Sequence, residues 1–207
     1  MTYVLYGDKG SGAFSVEAAL AEAGADYEFK IISLDKNEQK LPQFLAANPS
    51  GKIPALQLPN GEFLTESAAI LLAIAERHPD AALLPPLACA ARAQAYRWIA
   101  FMASEIYPMV EIADYPDRFL PRGEPAEALR NSARNRIRER LLIIEHAIAG
   151  PWLLPGAFSI ADIYAAMFSC WSIGDDWRDA HLPKVNLLAN AVSQRPRIVP
   201  VWRRHFS

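Results

Sequence analysis

The run Asn48-Pro49-Ser50-Gly51-Lys52-Ile53-Pro54-Ala55-Leu56-Gln57-Leu58-Pro59-Asn60-Gly61-Glu62-Phe63-Leu64-Thr65-Glu66-Ser67 decides the fold of the first part of the chain. Pro54–Leu58 and Glu62–Leu64 flank Pro59-Asn60-Gly61. Asn-Gly between apolar runs is a strong hairpin signal, because a tight two-residue turn needs positive φ. An antiparallel strand pair is expected here. A helix is expected from Glu66 to about Arg77, with Ile70, Ala73 and Ile74 on one face. Upstream, residues 38–46 read as a short helix that ends before Asn48-Pro49. Tyr27–Ile31 alternates and reads as a strand. Val16, Ala19, Leu20 and Ala23 recur at helical spacing up to Gly24, a helix stop. Tyr3-Val4-Leu5-Tyr6 is a β-branched and aromatic run stopped by Gly7. The order over residues 1–78 is therefore β-α-β-α-β-β-α, a small α+β sandwich.

Pro79, Pro85 and Pro86 then punctuate the chain, and residues 79–87 read as a linker. Beyond them no strand pattern is found, and residues 88–207 read as an all-α bundle. Ala91, Ala95, Trp98, Met102 and Ile106 mark a long helix that Pro108 is expected to kink or end. Leu129, Ala133, Ile137, Leu141, Ile144 and Ile148 mark another. Shorter helices are expected near 185–194 and 197–204. Ser159-Ile160-Ala161-Asp162 has the form of a capping box.

Composition sets the outer limits. The 207 residues carry 52% hydrophobic and 21% charged side chains, with a net charge of -2. That is enough apolar material for a sizeable core, and it speaks against a generally basic nucleic-acid binder. No apolar run reaches a membrane span. The start of the chain lacks a basic stretch before a hydrophobic one, so no signal peptide is read, and a soluble cytoplasmic protein is expected. Cys89 and Cys170 are too few for a disulfide scaffold or a cysteine zinc site, and there is no Cys-x-x-Cys. His78, His146, His181 and His205 show no ligand spacing, so no metal is expected. Gly7-Asp8-Lys9-Gly10-Ser11-Gly12 lacks the Gly-Lys-Ser/Thr ending of a phosphate loop. Arg130, Arg134, Arg136, Arg138 and Arg140, interspersed with Glu139 and an apolar stripe, read as a solvated helix face.

Asn-Pro-x-Gly-Lys-x-Pro at 48–54 followed by Glu66-Ser67, with the proline linker, the helical second half and the box at Ser159, resembles the cytosolic glutathione S-transferases of bacterial type. The resemblance covers nearly the whole chain. It implies a thioredoxin-like first domain that binds glutathione, with Ile53–Pro54 as a cis peptide. The Ile53 backbone would pair with the cysteinyl backbone of glutathione like an added strand. Glu66 and Ser67, at a helix N-terminus, would hold the γ-glutamyl end. Lys52 could attract the glycyl carboxylate or be a solvated loop lysine. Pro54 alone could be an ordinary trans proline, and Ser67 alone only a helix cap.

Related enzymes activate the thiol from the loop after the first strand. Matched to this chain, the cysteine of beta-class enzymes falls at Gly12, the serine of zeta- and theta-like enzymes at or next to Ser11, and the tyrosine of alpha-like enzymes on Tyr6. Ser11 is the first candidate catalytic residue and Tyr6 the second; backbone amides of the Gly-rich loop are a third possibility. Ser11 could equally be a plain helix cap, and Tyr6 a core residue. A second substrate, a small hydrophobic electrophile, is expected between the domains by analogy with the family. Phe14, Ser104 and Tyr107 are the candidates for its pocket, with Pro108, Trp171 and Trp202 behind them. The resemblance also implies a homodimer that serves detoxification. Trp98, Phe101, Met102 and Ile106 add to the dimer reading, since they exceed what one helix face needs. The leading function is transfer of the glutathione sulfur to an electrophile. Glutathione-dependent disulfide or peroxide reduction, and a non-catalytic binding module, are the alternatives.

Overall fold

The computed structural model describes residues 2–171 and 173–206. By packing, the chain divides into two compact units, Met1–Leu84 with Ser193–Ser207, and Pro85–Val192.

In the first unit, β1 (Tyr3–Gly7), α1 (Ala13–Ala23), β2 (Tyr27–Ile31), α2 (Pro42–Leu45), β3 (Ala55–Gln57), β4 (Phe63–Thr65) and α3 (Ser67–Arg77) follow one another in the expected order. The sheet order is β2-β1-β3-β4. β1 runs parallel to β2 and antiparallel to β3, and the β3–β4 hairpin turns at Asn60-Gly61 as its sequence dictates. Gly24 closes α1 in a left-handed conformation (φ +65), donating its N–H to the Ala21 carbonyl. Gly7 is required for a different reason. A Cβ there would lie 2.2 Å from the Ala13 Cβ, so any side chain would block the return of α1 over β1. Leu5, Val16, Leu20, Leu56, Ile70, Leu71 and Ile74 form the buried core. The buried face of α3 is thus Ile70, Leu71, Ile74 and Ala75, and Ala73 is only half-buried.

The expected division at 79–87 differs from this packing at both ends. Leu83 and Leu84 are buried, and the linker stretch begins with a 3-10 turn, Pro79–Ala81. The last helix, α10 (Val199–Phe206), packs on α1 and belongs with the sheet. Its ties are aromatic, Phe14 against Trp202 and Phe206, as well as polar, and they span some 190 residues of sequence, which no local pattern reveals.

The second unit holds α4 (Ala90–Phe101), α5 (Tyr107–Asp114), α6 (Glu127–Ala147), α7 (Ile160–Ser169), α8 (Asp175–His181) and α9 (Pro183–Ser193). Pro108 does not end the helical run. A π-helical turn over Met102–Ile106, the local irregularity that proline-induced distortion takes here, leads into α5 with Pro108 in its first turn. Trp98, Met102 and Ile106 are buried within the monomer, and Phe101 is half-buried with its ring edge-on to Trp98. These residues therefore offer no second apolar face to a partner. The arginines of α6 are not simply solvated either. Arg130 donates to the Ala113 carbonyl, and Arg138 donates twice to the Ile173 carbonyl, at 3.1 and 2.7 Å.

α7 is buried on every side, as an all-round apolar helix must be. Its capping box forms: the Ser159 hydroxyl accepts the Ala161 N–H, and Asp162 accepts the Ser159 N–H at 2.7 Å and the Leu153 N–H at 2.7 Å. Burial pushes the Asp162 carboxyl up to about 6.

Candidate functional site

Strand register brings the motifs together. Ala55 pairs with Thr65, so Pro54 lies opposite Glu66. Tyr6 pairs with Ala55, so Gly7 and the loop after it run past Pro54. One end of the sheet in the first unit thus carries the Gly7–Gly12 loop, Ile53–Pro54 and the N-terminus of α3. The Ile53–Pro54 bond is cis.

The loop before Pro54 is pinned by Asn48, whose amide is buried. Its Nδ2 donates to the Lys52 carbonyl at 2.6 Å, and its Oδ1 accepts from the Ser50 N–H at 3.1 Å and the Ser50 hydroxyl at 2.8 Å. The Gly51 N–H closes the same turn on the Asn48 carbonyl. Gly51 is left-handed (φ +59), and a Cβ on it would come within 2.8 Å of Lys40 Nζ. Ile53 is buried, and neither its N–H nor its C=O is taken by another described residue. That pair of groups is what an added extended segment would use. Lys52 is exposed, and Lys40 reaches the same loop with Nζ 3.5 Å from the Ser50 carbonyl.

Glu66 has φ +64 and ψ 107 at the N-cap of α3, a conformation that costs a non-glycine residue about 1–3 kcal/mol. Its side chain is exposed while Ser67 beside it is buried. The first amides of α3 have no carbonyl partner within the helix, a setting that favours a carboxylate.

The loop after β1 is a hydrogen-bonded knot. Asp8 accepts the Lys9 N–H on Oδ1 and the Leu34 N–H on Oδ2, both at 2.8 Å. The Ser11 hydroxyl donates to the Asp8 carbonyl at 2.7 Å, and its oxygen accepts from the Asp8 and Ala13 amides. The Ser11 proton is therefore engaged within the loop in this arrangement. The Gly12 N–H, at the mouth of α1, donates to no other described residue. Tyr6 lies half-buried among Phe44, Ile53, Ile32 and Leu34, with Phe63 at 5.7 Å and Lys30 Nζ 5.6 Å from its ring centroid.

The residues expected to line a second-substrate pocket are not alike. Phe14 is fully buried between α1 and α10, against Trp202, His205 and Phe206, so it is a packing residue and walls no pocket. Ser104 is exposed on the π-helical turn of the second unit. Tyr107 stands edge-on to Phe168 and Trp171, at 5.5 and 5.7 Å. Burial pushes the Cys170 thiol up to about 11, so it is not ionised at neutral pH. Among the described residues, no group of three or more His, Cys, Asp or Glu side chains is placed to hold a metal ion.

Several contributors carried little or no sequence signal. Asp8, next to Gly7, has the form of a side-chain-capped turn and could have been found. Lys40 is brought in by a loop crossing, and His205 by α10; neither is marked locally.

Known proteins resemble this chain over most of its length. The family model of the glutathione S-transferase N-terminal domain matches residues 1–76. The uncharacterized GST-like protein YncG of Escherichia coli K12 is 29% identical over 202 residues, 97% of each chain. The glutathione S-transferase-like protein tpcF of Aspergillus fumigatus is 32% identical over 168 residues, 77% of this chain and 74% of its own. A glutathione transferase homologue from Sulfitobacter, solved with glutathione bound, superposes with a TM-score of 0.90 at 27% identity, covering 98% of this chain and 97% of its own.

Proposed function

Since the chain belongs to the glutathione S-transferase family, we propose that it binds glutathione at the sheet end described above and transfers its sulfur to a small hydrophobic electrophile. The observation that carries this is the register, which sets an unpaired Ile53 backbone beside Glu66 and Ser67 and beside the loop at the mouth of α1. Glutathione lies along Ile53, its cysteinyl N–H and C=O pairing with the Ile53 C=O and N–H. Its γ-glutamyl carboxylate sits on the α3 amides and Ser67, and its ammonium on the Glu66 carboxylate. Lys52, with Lys40 behind it, faces the glycyl carboxylate.

An ordinary thiol ionises near 8.5, so only a few per cent is thiolate at neutral pH. Donors aimed at sulfur shift that balance. Of the three candidates, the Gly12 N–H leads, because it has no acceptor among the described residues and stands at the N-terminus of α1, where the helix dipole favours an anion. Ser11 would have to turn its proton from the Asp8 carbonyl, and Tyr6 is held in an aromatic cluster. The thiolate then attacks the electrophilic atom of the acceptor, and the acceptor's leaving group, or its protonated addition product, departs. By the same family reading the protein is a homodimer.

Disulfide or peroxide reduction at the same site is the second reading. Without an enzyme cysteine in the loop, it would need two glutathione molecules or direct thiolate attack. Parallel assays with a chlorodinitrobenzene acceptor and with hydroxyethyl disulfide separate the readings. Conjugation should exceed disulfide reduction. The reverse order would favour a reductase, and no turnover of either would leave only a binding module.

A further inference from the structure

A buried polar chain links the last helix to the Gly-rich loop. Glu17 on α1 has no exposure, and three groups point at its carboxylate. Tyr27 on β2 donates its hydroxyl to Oε1 at 3.0 Å, Arg204 reaches the same oxygen through Nη1, and His205 Nε2 lies 2.8 Å from Oε2. On the other edge of the imidazole, Nδ1 is 3.1 Å from the Gly10 amide nitrogen. An amide N–H can only donate, so Nδ1 is the unprotonated acceptor and the ring hydrogen is on Nε2, aimed at Glu17. Glu17 thereby fixes both the tautomer and the orientation of the ring.

The recipient is the centre of the loop. Gly10 is left-handed (φ +68) and lies beneath the end of α10, where a Cβ would sit 3.6 Å from the His205 carbonyl oxygen. It is followed by Ser11 and Gly12, the donors weighed for the sulfur. The ring is otherwise enclosed by Phe14, Phe29 and Phe206, which hold it without competing for its nitrogens.

We propose that His205 is a positioning residue for the sulfur-activating loop: its neutral Nδ1 holds the Gly10 N–H while Glu17 holds its Nε2–H, so that the far end of the chain sets where the Gly12 N–H points. The proposal rests on the reading of this loop as the thiol site. Glu17 is in turn held by Tyr27 from β2 and by Arg204 from the same helix as His205. Burial and the Glu17 carboxylate push the Tyr27 phenol upward, so it stays a donor to Glu17.

Two variants divide the ring's duties. In His205→Asn the side-chain oxygen stands where Nδ1 was and can still accept from Gly10, but the contact with Glu17 is lost. In His205→Gln the amide stands where Nε2 was and keeps Glu17, but Gly10 is released. Hydrogen exchange at the Gly10 amide and the ionisation of bound glutathione are measured in both variants and in the wild type. In His205→Gln, Gly10 exchange should speed up roughly tenfold, as for loss of one hydrogen bond, and the bound thiol should ionise at higher pH. In His205→Asn both should stay near wild type, although its thermal midpoint falls. Unchanged Gly10 exchange in His205→Gln overturns the proposal. So does faster exchange with an unmoved thiol. If the wild type binds no glutathione, the thiol-site reading fails, and Gly10 exchange still decides whether His205 holds the loop.

Discussion

Replacing Asn48 by alanine removes the pin of the loop that presents Ile53. Three hydrogen bonds go, two of them to the loop backbone at Lys52 and Ser50. A buried partner left unsatisfied costs about 1–3 kcal/mol. Ser50 and Lys52 are exposed residues, so water can reach the orphaned groups, and the cost falls at the low end, about 1–2 kcal/mol. For a chain of this size each kcal/mol is about 2–4 °C in thermal midpoint, which gives a drop of about 2–8 °C. The functional effect is larger in relative terms. If glutathione must re-order the loop to pair with Ile53, the same free energy is taken from binding, and Kd rises about 5–30-fold. The rate at saturating glutathione should change little, because the loss is common to ground and transition states. Asn48→Asp is the sharper comparison. It keeps the acceptor for Ser50 but sets an oxygen against the Lys52 carbonyl, so its Kd should rise at least as far. Thermal melting and calorimetric titration with glutathione read both quantities. A lowered melting point with Kd within about twofold of wild type would refute the claim that this loop positions the ligand.

Ser67→Ala should weaken glutathione binding by about 1.5–3 kcal/mol, the worth of one donor to a charged group, with turnover at saturation nearly kept; unchanged affinity in the calorimeter would sink the γ-glutamyl assignment. Asp162 ionises near 6 when folded, because it is buried, against about 3.9 unfolded. The raised folded value means that its contribution to stability is full below about pH 4 and is lost as pH rises through 6, up to about 3 kcal/mol in all. Urea unfolding at pH 4 and pH 7 should show this fall in the wild type and not in Asp162→Asn; a stability gap between the two proteins that is equal at both pH values would contradict it. Sedimentation at micromolar concentration should give a species of twice the chain mass, and a monomer alone would count against the dimer.

The first unit was legible because its signals are local. Asn60-Gly61 sets the hairpin, Gly24 stops α1, and the run from Asn48 to Pro54 with Glu66-Ser67 marks the sheet end of the proposed site. Burial was harder to read. Phe14 looks like a loop-adjacent aromatic, and only the packing of α10 shows it to be core. Trp98, Met102 and Ile106 looked surplus to one helix face because the π-helical turn, which re-aims the later residues, leaves no periodic trace. α8 was missed because its seven residues, Asp175–His181, carry no buried stripe. The capping box at Ser159 was readable, since its bonds join residues only two and three apart. The clamp of Glu17 by Tyr27, Arg204 and His205 was not, since it joins three distant elements through polar groups that sequence patterns treat as surface.

The most direct test of thiol activation at the mouth of α1 is the ionisation of glutathione bound to the wild-type protein, followed by thiolate absorbance as pH is raised, beside the same titration of Tyr6→Phe. Hydrogen bonding to the Gly12 N–H at a helix N-terminus should bring the sulfur at least about one unit below its ordinary 8.5, and Tyr6→Phe should leave that value in place. A bound thiol that ionises at 8.5 or above would contradict the account, and a rise in Tyr6→Phe would move the activating role from the loop to Tyr6.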